Sequence, residues 1–274
     1  MMAAAAAVDA LSAAAWSPAS LDVLIGGCSV MEQPIPGTAI MVQRRLGVGG
    51  AGATAFDVNA TCLSGLLAFD LATTGVAAGR WRRALVVTAD VPSAAVDQAD
   101  VTLGPIFGDG AAALLIGAGP SRVLASRFES YGDHTDLCRL DAGGTRLDPR
   151  ADPAAFLAAA RFRMEGPALY RTTARLFPGF LERLLDAAAV TKDAIDLVVP
   201  HQASAAALHH LRRVMGGAPE RVIDIFPNHG NQVATSLPHA LHIAATGGRL
   251  RPGATVLLVG SAAGITLGGM VIRW

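Results

Sequence analysis

The sequence is poor in the features that place a protein fastest. Only 5% of its 274 residues are aromatic and 16% are charged. The 22 Lys and Arg are balanced by 22 Asp and Glu. A general role in binding nucleic acid or another polyanion therefore has no electrostatic support. Cysteine is scarce, and Cys28, Cys62 and Cys138 stand too far apart for a zinc pattern or a disulfide framework. That usage fits a reducing, cytosolic compartment. The apolar start, MMAAAAAVDALSAAAW, has no basic leader and no strongly apolar centre, so it does not read as a secretory signal. Asp9 and the small alanines also make it a poor membrane span. Gly, Pro or charge interrupts every later apolar run, so no membrane-spanning helix is expected.

What the sequence has is aliphatic bulk and alternation. It is 52% hydrophobic, enough for a large core of Ala, Val and Leu, and disorder is not expected. An Ala-rich helix is predicted over 3–15, a buried strand over 21–27 and a helix over 37–47. A strand over 54–60, a helix over 62–79 and a strand over 83–91 follow. Residues 110–119 and 123–131 read as a paired β-ribbon. This βαβ rhythm implies a mostly parallel sheet covered on both faces. Residues 132–153 are polar and rich in Gly, Asp and Pro, and read as a linker or surface excursion. A long amphipathic helix over 166–189 comes next. The pattern then restarts, with strands over 195–200, 221–227, 254–260 and 264–274 and helices over 204–215 and 232–246. The two halves divide into 1–150 and 151–274.

The second half echoes the first. SLDVLIGG (20–27) matches AIDLVVPH (194–201), and FDVNATCLSGLLAFDLATTG (56–75) parallels IDIFPNHGNQVATSLPHALHIAATG (223–247). Each is followed by a valine- and leucine-rich strand. Order and spacing agree, which favours an internal duplication.

In such a sheet, reactive groups gather where strands end. Cys62, His201 and the cluster Asn228, His229, Gly230, Asn231 each follow a predicted strand. A thiol at a helix start is expected to have a lowered pKa, and helix amides there can hold an oxyanion. His201 can exchange a proton or donate a hydrogen bond near neutral pH. Asn231 offers an uncharged amide donor. Together the three suit acyl transfer through a thioester. Singly, each has a plainer reading: a packed thiol, a satisfied or surface histidine, an asparagine in a turn. The ordered triple carries more weight. Cys28 and Cys138 read as inert, and His209, His210, His239 and His242 as surface or packing residues on helices.

FDVNATCLSGLLAF, IFGDGAAALLIG, LVVPHQAS, NHGNQVATSLPHAL and GITLGGMVIRW together resemble the 3-oxoacyl-[acyl-carrier-protein] synthase III family of thiolase-like condensing enzymes. The resemblance runs from about residue 3 to the end. It implies an α/β fold, the duplicated five-layered αβαβα sandwich, in a homodimer. It implies Cys62 as the acyl-accepting nucleophile, with His201 and Asn231 stabilising the carbanion from a decarboxylating malonyl thioester. Asn231, inside HGN, is the matching asparagine, and Asn228 is not. The backbone N–H groups of Cys62 and Ala263 match the oxyanion donors. GDG (108–110) resembles a structural turn. Substrates would be acyl thioesters of coenzyme A or acyl carrier protein, with no separate cofactor and no metal.

The sequence also departs from the family pattern. It opens inside what matches the family's second helical region, so an opening strand, expected to lie centrally in the first half-sheet, is missing from it. The final loop reads GSAAG, with Ser261 where an aromatic is usual and Ala263 where glycine is usual. Ile35 matches a phenylalanine that reaches the partner's acyl pocket, and predicts room for a longer or branched chain. Val101 replaces an arginine used for coenzyme A, and Ser204 replaces an asparagine. These changes fit a specialised pathway. Arg212 and Arg213 are candidates for contact with an acidic carrier protein, against the plainer reading of solvated surface. Three functions stay open on the residues: decarboxylative condensation, ester- or amide-forming transfer with His201 as base, and a non-catalytic partner subunit.

Overall fold

The computed structural model of the chain describes residues 1–97, 99–216 and 219–274. The first half supplies helix α1 (Met2–Ala13), strand β1 (Val23–Gly26), helix α2 (Thr38–Arg45), strand β2 (Thr54–Asp57), helix α3 (Ser64–Ala77), and strands β3 (Arg83–Asp90) and β4 (Gly110–Gly117). They form one sheet in the order β2-β1-β3-β4. Its first three strands are parallel, and β4 runs antiparallel to β3. Strand β5 (Arg122–His134), strand β6 (Cys138–Arg139), helix α4 (Pro153–Ala159), strand β7 (Arg163–Met164) and helix α5 (Gly166–Ala188) follow. Strand β8 (Leu197–Pro200), helices α6 (Ala205–Val214), α7 (Phe226–His229) and α8 (Ser236–Thr246), and strands β9 (Thr255–Ala262) and β10 (Gly264–Arg273) complete the chain. The second sheet has the order β5-β10-β9-β8.

Side-chain alternation sets the layers. In β9, Val256 and Leu258 enter a core shared with Leu63 and Leu66 near the start of α3 and Leu237 and Leu241 of α8. Leu257 and Val259 point the other way, onto Phe180, Leu181 and Leu184 of α5 and Leu211 of α6. In the first sheet, Leu24, Leu85 and Val87 face α1 and α2, while Ile25, Ala84 and Val86 face α3. Helices α3 and α8 thus lie between two sheets, giving five layers. Alanines at positions 3, 4 and 7 let α1 approach its strands closely.

The duplication is visible bond for bond. The N–H of Gly27, just past β1, donates to Val87 O at 2.9 Å, and that of His201, just past β8, donates to Val259 O at 2.9 Å. Asp22 accepts the N–H of Arg83 at 3.0 Å, and Asp196 accepts that of Thr255 at 2.7 Å. Repeated sequence has produced repeated local chemistry.

The structure corrects several expectations. Residues 110–119 and 123–131 do not form a ribbon with each other: β4 pairs with β3, and β5 pairs with β10 in the other sheet. A turn that splits adjacent strands between sheets carries no local pattern to reveal it. The change of sheet falls between Gly117 and Arg122, ahead of the polar stretch over 132–153. Residues 132–153 are tied back to the body by the β6–β7 pair, Cys138 opposite Met164. The strand over 221–227 shrinks to one bridge, Val222 to Val198, before α7 begins. The first sheet has no vacant interior position, because β1 pairs directly with β3. The second sheet's edge strand, β5, has no counterpart beside β4 among the described residues.

Candidate active site

Cys62 sits in the elbow between β2 and α3. Three short bonds hold the elbow. Thr61 N–H donates to Asn59 Oδ1 at 2.9 Å, Ala60 N–H donates to Ser64 Oγ at 2.9 Å, and Ser64 Oγ donates to Thr61 O at 2.7 Å. Thr61 is held at φ +49°, a left-handed conformation that a β-branched residue rarely adopts. The elbow aims the sulfur at the hairpin joining β9 to β10. Backbone N–H groups of Ala263 and of Cys62 itself lie within hydrogen-bonding reach of the thiol. Ala263 keeps an ordinary negative φ, while the glycine-type conformation falls on Gly264 at φ +134°. Alanine at 263 is therefore no obstacle to an oxyanion donor.

The expected lowering of the Cys62 pKa is overturned. Burial pushes the thiol up to about 12, with smaller contributions from Cys138 and Asp90, and the two N–H donors offset only part of that. Desolvation of a thiolate outweighs one helix terminus. The resting residue is a thiol, and two backbone donors stand beside it.

His201 is buried, 5% exposed, at the end of β8. Its Nδ1 has no hydrogen-bond partner, and burial lowers its pKa to about 4. It is neutral throughout the physiological range, a weak base but a competent neutral donor. A cavity of about 60 Å³ adjoins it, bounded also by Thr173, Phe177, Ala203, Leu208 and Ser261.

Asn231 is buried and fixed at both ends of its amide. Oδ1 accepts the N–H of Val233 at 2.9 Å, and Nδ2 donates to Ala203 O at 3.3 Å. Its main chain pairs with the loop ahead of β4: Asn231 N–H donates to Ile106 O at 2.7 Å, and Gly108 N–H donates to Asn231 O at 3.1 Å. GDG serves that contact. A Cβ on Gly108 would lie 2.1 Å from His229 O, and one on Gly110 would lie 2.2 Å from Gln232 Nε2.

These contacts draw the three residues together. Leu63, next to Cys62, and His201 both press on Gly260, where an added Cβ would come within 3.1 Å of Leu63 Cδ2 and 2.6 Å of His201 Cβ. Asn231 bonds to Ala203, two residues past His201. A Cβ on Gly65 would meet Ala234 O at 2.6 Å, so the helix behind Cys62 abuts the turn that carries Asn231. The arrangement puts a thiol with two backbone N–H donors beside Leu63, which packs with His201 on Gly260, and ties the Asn231 amide to the backbone two residues past His201. That set can hold an acyl group and stabilise an oxyanion.

Other expectations fall elsewhere. Ile35 is 84% exposed in the loop between β1 and α2, outside the His201 cavity. Val101 is also 84% exposed. Ser204 caps α6 through the N–H of Ala207, which gives that serine a structural use. Arg212 is not free for a partner, because its guanidinium binds Asp224 at 2.7 Å; Arg213 is exposed. Cys28 is buried with its thiol likewise pushed up to about 12. Cys138 is half-buried, and its effect on Cys62 is one of the smaller contributions that raise the Cys62 pKa.

Sequence reasoning passed over the residues that hold the site. Gln202 is fully buried. Its amide donates to Pro200 O at 2.9 Å and Ile223 O at 3.3 Å, and accepts the N–H groups of Ile225 and Phe226 at 3.0 and 3.1 Å. Asp90, buried at the end of β3, accepts the N–H groups of Ser29 and Val30 at 2.7 and 2.6 Å and the hydroxyl of Thr235 at 3.3 Å. Burial raises its carboxyl pKa. Asp90 closes the apolar strand β3 and Gln202 stands two residues past β8, so a polar residue at the end of an apolar run was the signal available.

Residues 56–132 match the family described as 3-Oxoacyl-[acyl-carrier-protein (ACP)] synthase III, and residues 185–274 match its C-terminal region. The chain is 32% identical over 277 residues to the beta-ketoacyl-[acyl-carrier-protein] synthase III of Agrobacterium fabrum, covering 98% of this chain and 82% of that protein. It is 34% identical over 272 residues to the enzyme of the same name from Rhizorhabdus wittichii, with the same coverage. The crystal structure of 3-oxoacyl-[acyl-carrier-protein] synthase III from Aquifex aeolicus superposes with a TM-score of 0.89 at 30% identity, covering 99% of this chain and 83% of that one. Xanthomonas campestris OleA, 23% identical with a TM-score of 0.85 over all of this chain and 80% of its own, shares the fold. No helix among the described residues is long and apolar enough to cross a membrane. The chain belongs to the 3-oxoacyl-[acyl-carrier-protein] synthase III family of thiolase-like condensing enzymes.

Proposed function

We propose that this acyltransferase performs its family's decarboxylative condensation with Cys62, His201 and Asn231 as its working groups. Cys62 Sγ attacks the carbonyl of an acyl thioester of coenzyme A or acyl carrier protein. The thiol proton leaves with the departing thiol, and the N–H groups of Cys62 and Ala263 hold the oxyanion. A malonyl thioester then enters. Its C–C bond to the carboxylate breaks, CO2 leaves, and the electron pair stays on the α-carbon while His201 and Asn231 hydrogen-bond the enolate oxygen. That carbon bonds to the acyl carbon, and the Cys62 thiolate is expelled and reprotonated. The product is a 3-oxoacyl thioester.

The observation that carries this reading is His201: buried, neutral and with a pKa near 4. Ester- or amide-forming transfer needs it as a general base, for which it is weak. Stabilising an enolate needs only a neutral donor. Retention of all three groups argues against a non-catalytic partner subunit. A homodimer also fits: β2 is an open edge strand, and Ile35 stands exposed as a residue reaching a partner's acyl pocket would. A free thiol nucleophile suits a reducing cytoplasm.

The test is a two-step assay. A labelled acyl-CoA should leave label on the protein but not on Cys62→Ala. Malonyl-acyl carrier protein should then discharge it as a 3-oxoacyl product with release of CO2. Discharge by an alcohol or amine without CO2, or failure to acylate, would overturn the assignment.

A further inference from the structure

The turn that carries Asn231 is braced from a side chain the reaction does not use. Gln232, next in sequence, is 3% exposed. Its Nε2 donates to Asp109 O at 3.0 Å, and its Oε1 lies 2.7 Å from His239 Nδ1 on α8. The polarity of this chain follows from elementary chemistry. A backbone carbonyl only accepts, so Asp109 fixes which end of the Gln232 amide faces it. The other end is then an acceptor, and His239 must donate from Nδ1. The His239 tautomer is therefore set by the carbonyl of Asp109, two hydrogen bonds away. His229 closes the group, its ring edge-on to that of His239 with centroids 4.7 Å apart.

The brace acts on Asn231 because both residues grip one strip of backbone. Asn231 pairs with Ile106 and Gly108 through its main chain, and Gln232 pairs with Asp109 through its side chain. The Gln232 N–H is tied to Ser236 Oγ at 2.9 Å. Without a donor at 239, Oε1 becomes a buried acceptor with no partner. The amide can then turn to find one, and Asp109 loses its hold.

We propose that His239, acting through Gln232, is a positioning residue for Asn231. This rests on Asn231 serving the condensation step. His239 touches no reacting atom, so its effect falls on that step and not on acylation of Cys62.

The experiment measures the two half-reactions separately in single turnover, on the full chain. Labelled acyl-CoA reports acylation, and malonyl-acyl carrier protein added to the preformed acyl-enzyme reports condensation. His239→Leu removes the donor. His239→Asn places an amide N–H where Nδ1 was. His239→Leu should acylate at the wild-type rate and condense about tenfold or more slowly, since small misplacements of catalytic groups carry such penalties. His239→Asn should recover most of the loss. Gln232→Leu, which breaks the brace from its other end, should copy His239→Leu and supplies the test should that variant not fold. Equal slowing of both half-reactions, unchanged condensation in His239→Leu and Gln232→Leu, or no rescue by asparagine would overturn the proposal. Asn231→Ala is the control. If it condenses normally, the role assigned to Asn231 fails and this inference with it. If it alone is impaired, only the brace fails.

Discussion

Asn231 occupies in the second half of the chain the place Asn59 occupies in the first. Each carboxamide oxygen accepts the N–H two residues on, Val233 and Thr61, at 2.9 Å. Those acceptor turns carry the same left-handed residue, φ +52° and +49°. Three residues past it stands a buried serine, Ser236 or Ser64, whose hydroxyl caps the turn. In one half the residue after the left-handed position is Cys62, and in the other it is Ala234. Duplication supplied the turn and its asparagine to both halves, and divergence left the sulfur in one copy only. With Oδ1 spent on the turn, the chemistry of Asn231 rests on Nδ2. Asn231→Ala should therefore lower the condensation rate by about 10²–10³, the usual effect of losing one preorganised donor. Acyl-enzyme formation on Cys62 should continue, as single-turnover labelling would show.

Gly260 is the point where His201 and Leu63, the residue after Cys62, press on one backbone atom. A methyl group there would lie 2.6 Å from His201 Cβ and 3.1 Å from Leu63 Cδ2. The first is an atom at the root of a side chain and cannot swing aside. Gly260→Ala should cost about 1–3 kcal/mol of stability, the usual range for overpacking. That loss should show as a Tm lowered by several degrees. Condensation should fall further than the Tm shift explains, because the imidazole is displaced. A variant with wild-type Tm and activity would show that the packing is looser than this geometry requires.

Burial holds the Cys62 thiol near 12. A raised acid pKa means the neutral form dominates until the pH approaches that value. Iodoacetamide labelling of Cys62 should thus climb about tenfold per pH unit from pH 7 to 9, where an ordinary thiol with a pKa of about 8.5 would be levelling off. Mass spectrometry of the labelled site gives the rate. A plateau below pH 9 would mean a thiol far more acidic than its surroundings allow.

Gln202 accepts the N–H groups of Ile225 and Phe226 and donates to Pro200 and Ile223, so one side chain joins the end of β8 to the start of α7. Gln202→Leu keeps the bulk and leaves several buried backbone groups unpaired. Each such group costs about 1–3 kcal/mol, so a loss of about 2–4 kcal/mol is expected after relaxation. Urea unfolding of the variant measures it.

Much of this was legible in the sequence. β1, β3, β8 and β9 are apolar runs that can only be buried, and each was placed within two or three residues. Cys62 and His201 each follow a strand, as expected, whereas Asn231 follows the short helix α7, so strand order marked two of the three candidate positions. The β4–β5 connection was not readable, since nothing local tells a hairpin from a crossing between sheets. The buried Gln202 and Gln232 were missed for a related reason. A glutamine looks like surface until the carbonyls that meet it are known. The thiol was misjudged because helix polarity can be read from sequence order, whereas desolvation depends on the packing of distant segments such as the Ala263 hairpin.

His201 gives the pH dependence with the plainest sign. Its folded pKa is near 4 because burial disfavours the charged ring, whereas the unfolded side chain titrates near 6.5. A base whose pKa is depressed on folding binds its proton better when unfolded. The associated stability is complete above about pH 6.5 and is lost as the pH falls towards 4. The shift corresponds to roughly 3 kcal/mol, at about 1.4 kcal/mol per pKa unit. His201→Asn removes the titrating group but keeps a polar side chain. Urea unfolding of the wild type at pH 7 and pH 4.5 should show a steeper decline than the variant shows. The condensation half-reaction should meanwhile pass through pH 6.5 with no inflection due to this residue, because a ring already neutral has no proton to lose there. An inflection near 6.5 that disappears in His201→Asn would mean that the imidazole is solvated, and with it the case for a neutral donor over a general base would fail.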